Sequence, residues 1–282
     1  MAISTKGSMN SLFNLIYEDA IFVAREQNIM SNLVTVYSDS GWAQRKINTY
    51  PTLTAASVSE GVDYANAQDF TKSNLATLTP GEVISQTILT DVRIETDPQD
   101  AVRDAATEMG NAIATKIDTD LVGLFSSFTT DVGPGAGQSA TLAKVGVGVS
   151  ILRNAKVPNP VYVVLHPYCW HDIWVLLGQP AANQALLGEL ANQALRDFYV
   201  GQMLNCNWFT NANISADSSD DAISGIFSPQ ALAFDIRKAP TLEPERDASL
   251  RSWELNMVAG YAYGVRRSTF GVKYTCDVST PS

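Results

Sequence analysis

The 282-residue chain is long enough to bury a substantial core, as one large domain or two ordinary ones, and its 45% hydrophobic content is that of a folded protein. Its 17% charged content lies below the roughly one quarter usual for a soluble monomer, which leaves surface for other chains to cover. The net charge of −10, with no basic run denser than Arg266-Arg267, excludes a dedicated nucleic-acid binder, whose phosphate contacts need a basic stripe.

The amino-terminal stretch MAISTKGSMNSLFNLIYEDAIFVARE carries one lysine, and Asn14, Glu18 and Asp19 interrupt its apolar residues. It reads as neither a signal peptide nor a membrane span. Over 8–26, Leu12, Leu15, Ile16, Ile21, Phe22 and Val23 fall at mixed helical spacing, with Ser8 or Asn10 as a start. The expectation is a short amphipathic helix in an arm that precedes any core and needs a partner surface elsewhere.

From Trp42 to Thr96 no helical period holds. The segment VISQTILTDVRIET alternates, with Ile84, Ile88, Val92 and Ile94 on one face and Ser85, Thr87, Asp91, Arg93 and Glu95 mostly on the other. The middle has few large apolar residues. Two strands joined near Glu60-Gly61 would form a ribbon roughly 40–50 Å long at ~3.3 Å per residue. Such a hairpin is marginal alone in water and becomes reasonable when it lies across a neighbour.

Thr96-Asp97-Pro98-Gln99-Asp100 combines a capping residue, a proline at the first helical position and an acidic first turn. Val102, Ala105, Ala106, Met109, Ala112, Ile113, Ile117, Leu121, Leu124, Phe125 and Phe128 then recur at three-and-four spacing, predicting a helix of ~45 Å. Its polar face is read as Asp100, Arg103, Asp104, Glu108, Asp118 and Asp120. The run Asp131-Val-Gly-Pro-Gly-Ala-Gly-Gln-Ser139 predicts a flexible turn, and Ser139 or Thr141 a cap for a helix to about Asn154. VYVVL, ending at Leu165, is an apolar strand, and His166-Pro167 opens a helix through Leu177. A further helix over 183–198, short strands around 199–209, and three strands between Ala222 and Cys276 complete the chain. The loop APTLEPERDASLR is read as an excursion between the first two of those strands. The order of elements predicts an α+β fold rather than a regularly alternating α/β one.

Motifs for chemistry are weak. Cys169, Cys206 and Cys276 are odd in number and widely spaced, which points to reduced thiols in a cytoplasmic setting. His166, Cys169 and His171 include metal-ligand types, yet no second cluster completes four-coordination and on a helix they spread over two faces. Cys169 and His171, two apart on a helix, point away from each other, so they make no nucleophile–base pair. No Gly-x-Ser-x-Gly occurs, and only two histidines could serve as a base. Gly133-Pro-Gly-Ala-Gly137 lacks the Lys-Ser/Thr pair and the preceding strand of a phosphate loop. Gly146 and Gly148 are read as close-packing positions. No catalytic, cofactor or metal residue is assigned, and the sequon Asn213-Ile-Ser215 carries no meaning. Arg246 and Asp247 are the one charged pair singled out: an arginine fork there could clamp a carboxylate of the same or a neighbouring chain.

Taken together, four pieces resemble the major capsid proteins of tailed bacteriophages with the HK97-like fold. Residues 42–96 resemble that family's extended loop, and Asp97 to Phe128 its spine helix. VYVVLHPYCWHDIW, 161–174, resembles the start of its axial domain. Phe227-Ser-Pro-Gln-Ala-Leu-Ala-Phe234, EPERDAS and GYAYGVRRSTFGV resemble the closing strands of its peripheral domain. The resemblance implies an arm (1–41), the extended loop with flanking strands (42–96), a peripheral domain with the spine helix (97–157), an axial domain (158–225) and closing strands (226–282). It implies assembly into hexamers and pentamers of an icosahedral shell, no enzymatic activity and no cofactor. Expected partners are other copies of the chain, a separate scaffolding protein, a portal protein and a decoration protein, with no membrane. Double-stranded DNA would be enclosed without sequence-specific binding, which an acidic wall suits. The expected inter-subunit residues are Tyr64, Phe70 and Lys72 in the loop, with Arg246 and Asp247. Some family members crosslink subunits through a Lys and an Asn, a chemistry nothing here assigns to Lys72. The rival readings are an encapsulin-type compartment shell of the same fold and a soluble α+β enzyme.

Overall fold

The computed structural model describes residues 29–39, 41–96, 98–178 and 201–281, without the side chains at 98–103, 106, 177 and 178. The expected helices over 8–26 and 183–198 lie outside the described residues, as does Asp97 of the expected cap. In chain order the strands are β1 (Thr35–Ser38), β2 (Arg45–Thr49), β3 (Ser73–Leu78), β4 (Gly81–Thr90), β5 (Tyr162–Leu165), β6 (Gln202–Met203), β7 (Cys206–Thr210), β8 (Asp221–Phe227), β9 (Leu232–Asp247), β10 (Ser252–Val265) and β11 (Gly271–Asp277). The helices are α1 (Asp91–Thr96), α2 (Pro98–Gly123), α3 (Leu142–Asn154) and α4 (Pro167–Gly178).

One sheet has the order β1-β9-β10-β4, a second the order β11-β8-β5-β7-β6, and β2 pairs with β3 alone. The long helix α2 lies against the first sheet because its apolar residues repeat at helical spacing. Met109 and Ile113 meet Leu255, Met257 and Ala259 of β10. Its next turns carry Leu121, Val122 and Phe125 into the larger core, where Phe125 sits 5.3 Å from Phe227. The helix tightens into a 3-10 turn over Leu124–Ser127 and stops at Phe128, whose backbone is extended. In the second unit Trp170 of α4 and Trp208 of β7 are buried edge to face at 5.7 Å.

Several expectations change in three dimensions. The alternating strand ends at Thr90, and Val92 and Ile94 lie on α1 instead. The closing region holds four strands, β8 to β11, and APTLEPERDASLR is no loop: it is the outer half of β9, paired with β10, and the turn back. Pro240 and Pro244 are compatible with a strand there because β1 covers β9 only over Ala233–Ile236, leaving that stretch an edge. β11 pairs with β8, so sheet membership joins 271–277 to the unit built on β5 rather than to β9 and β10. The glycine-rich segment is laced down rather than loose. Val132 N–H donates to Lys273 O at 2.9 Å, Gly135 N–H to Thr275 O at 3.1 Å and Gly137 N–H to Asp221 Oδ1 at 2.7 Å. Gly148 packs against Val132, Ile226 and Val272 as expected, whereas Gly146 faces open space. Cys169 and Cys276 are joined as a disulfide between α4 and β11, across a sequence separation of 107, and only Cys206 stays a free, buried thiol. The reduced-thiol expectation failed because spacing along the chain says nothing about two elements that meet only in the folded core.

Tyr274 of β11 is fully buried; its hydroxyl accepts from Thr141 N at 2.8 Å and donates to Thr141 O at 3.1 Å. Burial pushes this phenol up from 10.0 to about 12. Between those values the unfolded chain has released the proton and the folded chain has kept it, so this stability is present below pH 10 and is lost as pH rises towards 12. The slope expected from one such group is about 1.4 kcal/mol per pH unit. Urea melts between pH 10 and 12 should show it, and Tyr274→Phe should reduce it, with Tyr261, raised in the same direction by burial, supplying the rest.

Candidate inter-subunit surfaces

The ribbon is anchored at its root and free at its tip. At the root, β2 and β3 form a short antiparallel ladder, and Ile47 and Leu78 are buried against Ala233 and Ala262 of the first sheet. Arg45 Nε donates to Asp235 Oδ2 at 2.7 Å, and Arg237 Nη2 donates to the same oxygen at 2.6 Å. The Asp235 side chain is 0% exposed and that of Arg237 is 4%, so this is a buried carboxylate shared by two guanidinium groups. The Arg45 guanidinium also lies over the Tyr37 ring at 4.9 Å. Arg267 Nη2 reaches Thr49 Oγ1 at 3.1 Å, and the Trp42 indole fills the space where Gly260 lacks a Cβ.

Beyond the root, every residue from 50 to 75 is exposed. The chain turns at Glu60-Gly61, with Gly61 at φ +77° and Val62 N–H donating to Ser59 O at 3.2 Å. The two limbs touch through Gln68, whose side chain bonds the backbone N and O of Thr54 at 2.9 and 2.6 Å, and through the stacked rings of Tyr50 and Phe70 at 4.9 Å. Tyr64, Phe70 and Lys72 therefore stand in solvent in the single chain, together with Leu53, Val58 and Val62. A further apolar surface lies on the outer face of the first sheet. Leu89 turns inward to α2, and Ile84 and Ile88, on the opposite face of β4, are 59% and 52% exposed. The predicted alternation is real, but its apolar face is the one turned away from the chain's own core.

Arg246 and Asp247 do not form a pair. The Arg246 guanidinium donates to Asp91 Oδ2 and to Ser252 O, each at 2.7 Å, and lies 5.5 Å from the Trp253 ring. The fork thus clamps a carboxylate of its own chain, at the start of α1. Asp247 turns to its own hairpin tip, accepting from Ser249 Oγ at 2.7 Å, Ser249 N at 2.8 Å and Leu250 N at 3.1 Å. These bonds, led by the Ser249 hydroxyl, hold its carboxyl below the usual range. Neighbours in a strand point to opposite faces, which separates the two side chains.

Two residues read as part of the helix's polar face are held by the fold, Asp118 buried and Asp120 half-buried. Asp118 is 1% exposed; its carboxylate accepts from Met30 N at 3.0 Å, from Asn213 Nδ2 at 2.8 Å and from Asn211 Nδ2. It ties the exit of the arm, α2 and the loop after β7 into one junction. Asp120 accepts from Lys116 Nζ at 2.6 Å and from Tyr261 Oη at 2.7 Å. Cys169, being in the disulfide, offers neither a ligand nor a nucleophile. His166 Nδ1 accepts from Tyr168 N at 3.2 Å, which fits a strand-to-helix turn, and burial lowers this histidine's pKa. Among the described residues no group of three or more His, Cys, Asp or Glu could hold a metal ion.

A long helix laid along a four-stranded sheet, an exposed ribbon rooted on that sheet and a second α/β unit built on β5 define the HK97-like fold of shell-forming capsid subunits. Residues 83–274 match the family described as phage capsid protein, and the chain belongs to that family. Its role is structural, that of a capsid subunit, and capsid proteins are components of the virion. Solved structures agree on the fold. The chain is similar to that of Mycobacterium phage Che8, with 18% identity, a TM-score of 0.68 and coverage of 88% of this chain and 90% of that one. Against the head structure of Helicobacter pylori bacteriophage KHP40 the identity is 12%, the TM-score 0.71 and the coverage 89% and 92%. Against the virus-like particle from Pyrococcus furiosus they are 9%, 0.60, and 93% and 98%. No curated protein matches the chain in sequence.

Proposed function

We propose that this chain assembles into hexamers and pentamers of an icosahedral phage head that encloses double-stranded DNA. The observation that carries the reading is the ribbon: a stretch exposed from 50 to 75, with aromatic and aliphatic side chains and no core of its own. Apolar surface of that extent on an anchored limb is stabilised by a neighbour, and the low charged content allows large covered areas. Each subunit would bury more than the ~1,600 Å² of a standard interface, spread over several neighbours. Tyr64, Phe70 and Lys72 are the contacts assigned to the ribbon. Arg246 and Asp247 serve the shell indirectly, by fixing the hairpin of β9 and β10 beside α1. The unit of residues 158–227 with 271–277 takes the axial place, and the sheet carrying α2 the peripheral one. The net charge of −10 keeps the wall from gripping DNA. A separate scaffolding protein and a portal protein are the partners proposed with this reading, together with assembly in the host cytoplasm and a decoration protein as an optional outer layer.

The test is sedimentation and electron microscopy of the purified chain. Capsomers or closed shells are expected; a stable monomer, with or without a scaffolding protein, would overturn the reading.

A further inference from the structure

The two free edges of the first sheet are treated differently. The outer half of β9 carries Pro240 and Pro244 and the charges of Glu243 and Glu245, features that block another strand from pairing. β4 has none of these between Glu82 and Thr90: it runs ten residues in unbroken register against β10, and among the described residues no strand pairs its other side. A long, regular, unguarded edge is a template for a further strand.

The ribbon holds a segment of matching length and pattern. Residues 62–72 carry no helix, turn or ladder partner, and as a strand they would place Val62, Tyr64 and Phe70 on one face at a period of two. Because every residue from 50 to 75 is exposed, the limb does not lie on its own β4. Laid antiparallel on β4 of a second copy, one register brings four pairs together. Lys72 faces Glu82, Phe70 faces Ile84, Gln68 faces Gln86 and Tyr64 faces Thr90. Opposite charges meet, two amides meet, and the exposed Ile84 gains an aromatic cover, each a favourable cross-strand pair. A shift by one residue would turn Phe70 to the α2 side of the sheet.

We propose that the outer edge of β4 is completed by residues 62–72 of a second copy's ribbon, antiparallel, with Phe70 opposite Ile84. This rests on the shell reading above and specifies how the ribbon grips its neighbour: through main-chain pairing as well as side chains.

The test is a cysteine pair. Particles of Phe70→Cys/Ile84→Cys, mildly oxidised, should run on a non-reducing gel as covalent multimers, while Phe70→Cys/Leu89→Cys, whose second position faces α2, should stay monomeric. Should the double variants fail to assemble, wild-type particles mixed from isotope-labelled and unlabelled chains are treated with a zero-length carbodiimide. A Lys72–Glu82 amide between chains is then expected. Closed particles that give neither link, or that join Glu82 to Lys6 of the arm instead, overturn the strand pairing and leave the shell reading intact. A wild-type chain that forms no particles removes both.

Discussion

Excision of residues 52–70, closed by a short glycine linker, should leave a folded subunit that no longer forms closed shells. The removed stretch is exposed throughout, so its loss takes no side chain from any of the hydrophobic clusters. The root survives: β2 still ladders to β3, and Arg45 still reaches Asp235. The cut must stop before Ser73, because Ser73 to Leu78 form β3 and Leu78 is 1% exposed. A melting temperature within about 3 °C of wild type corresponds to a change of no more than roughly 1 kcal/mol for a chain of this size. In the same preparation, sedimentation should find capsomers or smaller species in place of shells. Normal shells from the excised chain would remove the ribbon from the assembly mechanism.

The largest single-residue effect is expected at Asp235→Ala. The carboxylate is fully buried, and without it Arg237, 4% exposed, keeps its charge inside the protein with the Gly41 carbonyl at 3.2 Å and the exposed Asp39 carboxylate at 3.7 Å as its remaining partners. Breaking a buried ion pair from one side costs about 3–5 kcal/mol, because the remaining charge is neither hydrated nor paired. Asp39 places the expectation near the lower end of that range. A fall in melting temperature of roughly 10 °C follows for a chain of this length. The damage should also be local. Arg45 loses its anchor, so amides of β2 and β3 should exchange faster with deuterium than those of β5 and β8, on which the ribbon root does not depend. Asp235→Asn, which keeps the shape and part of the hydrogen bonding, should fall between the two. A melting temperature unchanged by Asp235→Ala would mean that the cluster contributes no net stability.

The features that carry the fold are local and were legible along the chain. Alternation in VISQTILT marks β4, the three-and-four spacing from Met109 to Phe125 marks α2, and His166-Pro167 marks the junction of β5 and α4. The exposed ribbon was legible too, through its few large apolar residues and the absence of a helical period, although its strands pair only over β2 and β3 and not out to Glu60-Gly61. Tyr64, Phe70 and Lys72 are exposed on the ribbon, while Arg246 and Asp247 turn to different partners, because a two-residue motif carries no information about which face each side chain takes.

The sequence by itself determined the long helix, the alternating strand and the exposed limb, since hydrophobic periodicity, caps and turn residues act within a few positions of one another, but it missed α1 and the outer half of β9. Only the tertiary structure decided which polar residues are internal. Asp118 and Asp235 look like ordinary solvated carboxylates, and their burial depends on Asn211, 93 positions away, and Arg45, 190 positions away. The same holds for the disulfide of Cys169 with Cys276 and for the passage of β11 into the sheet of β5. A carboxylate is buried only where distant donors converge to replace its water, and that convergence is a property of the packed chain, not of any window along it.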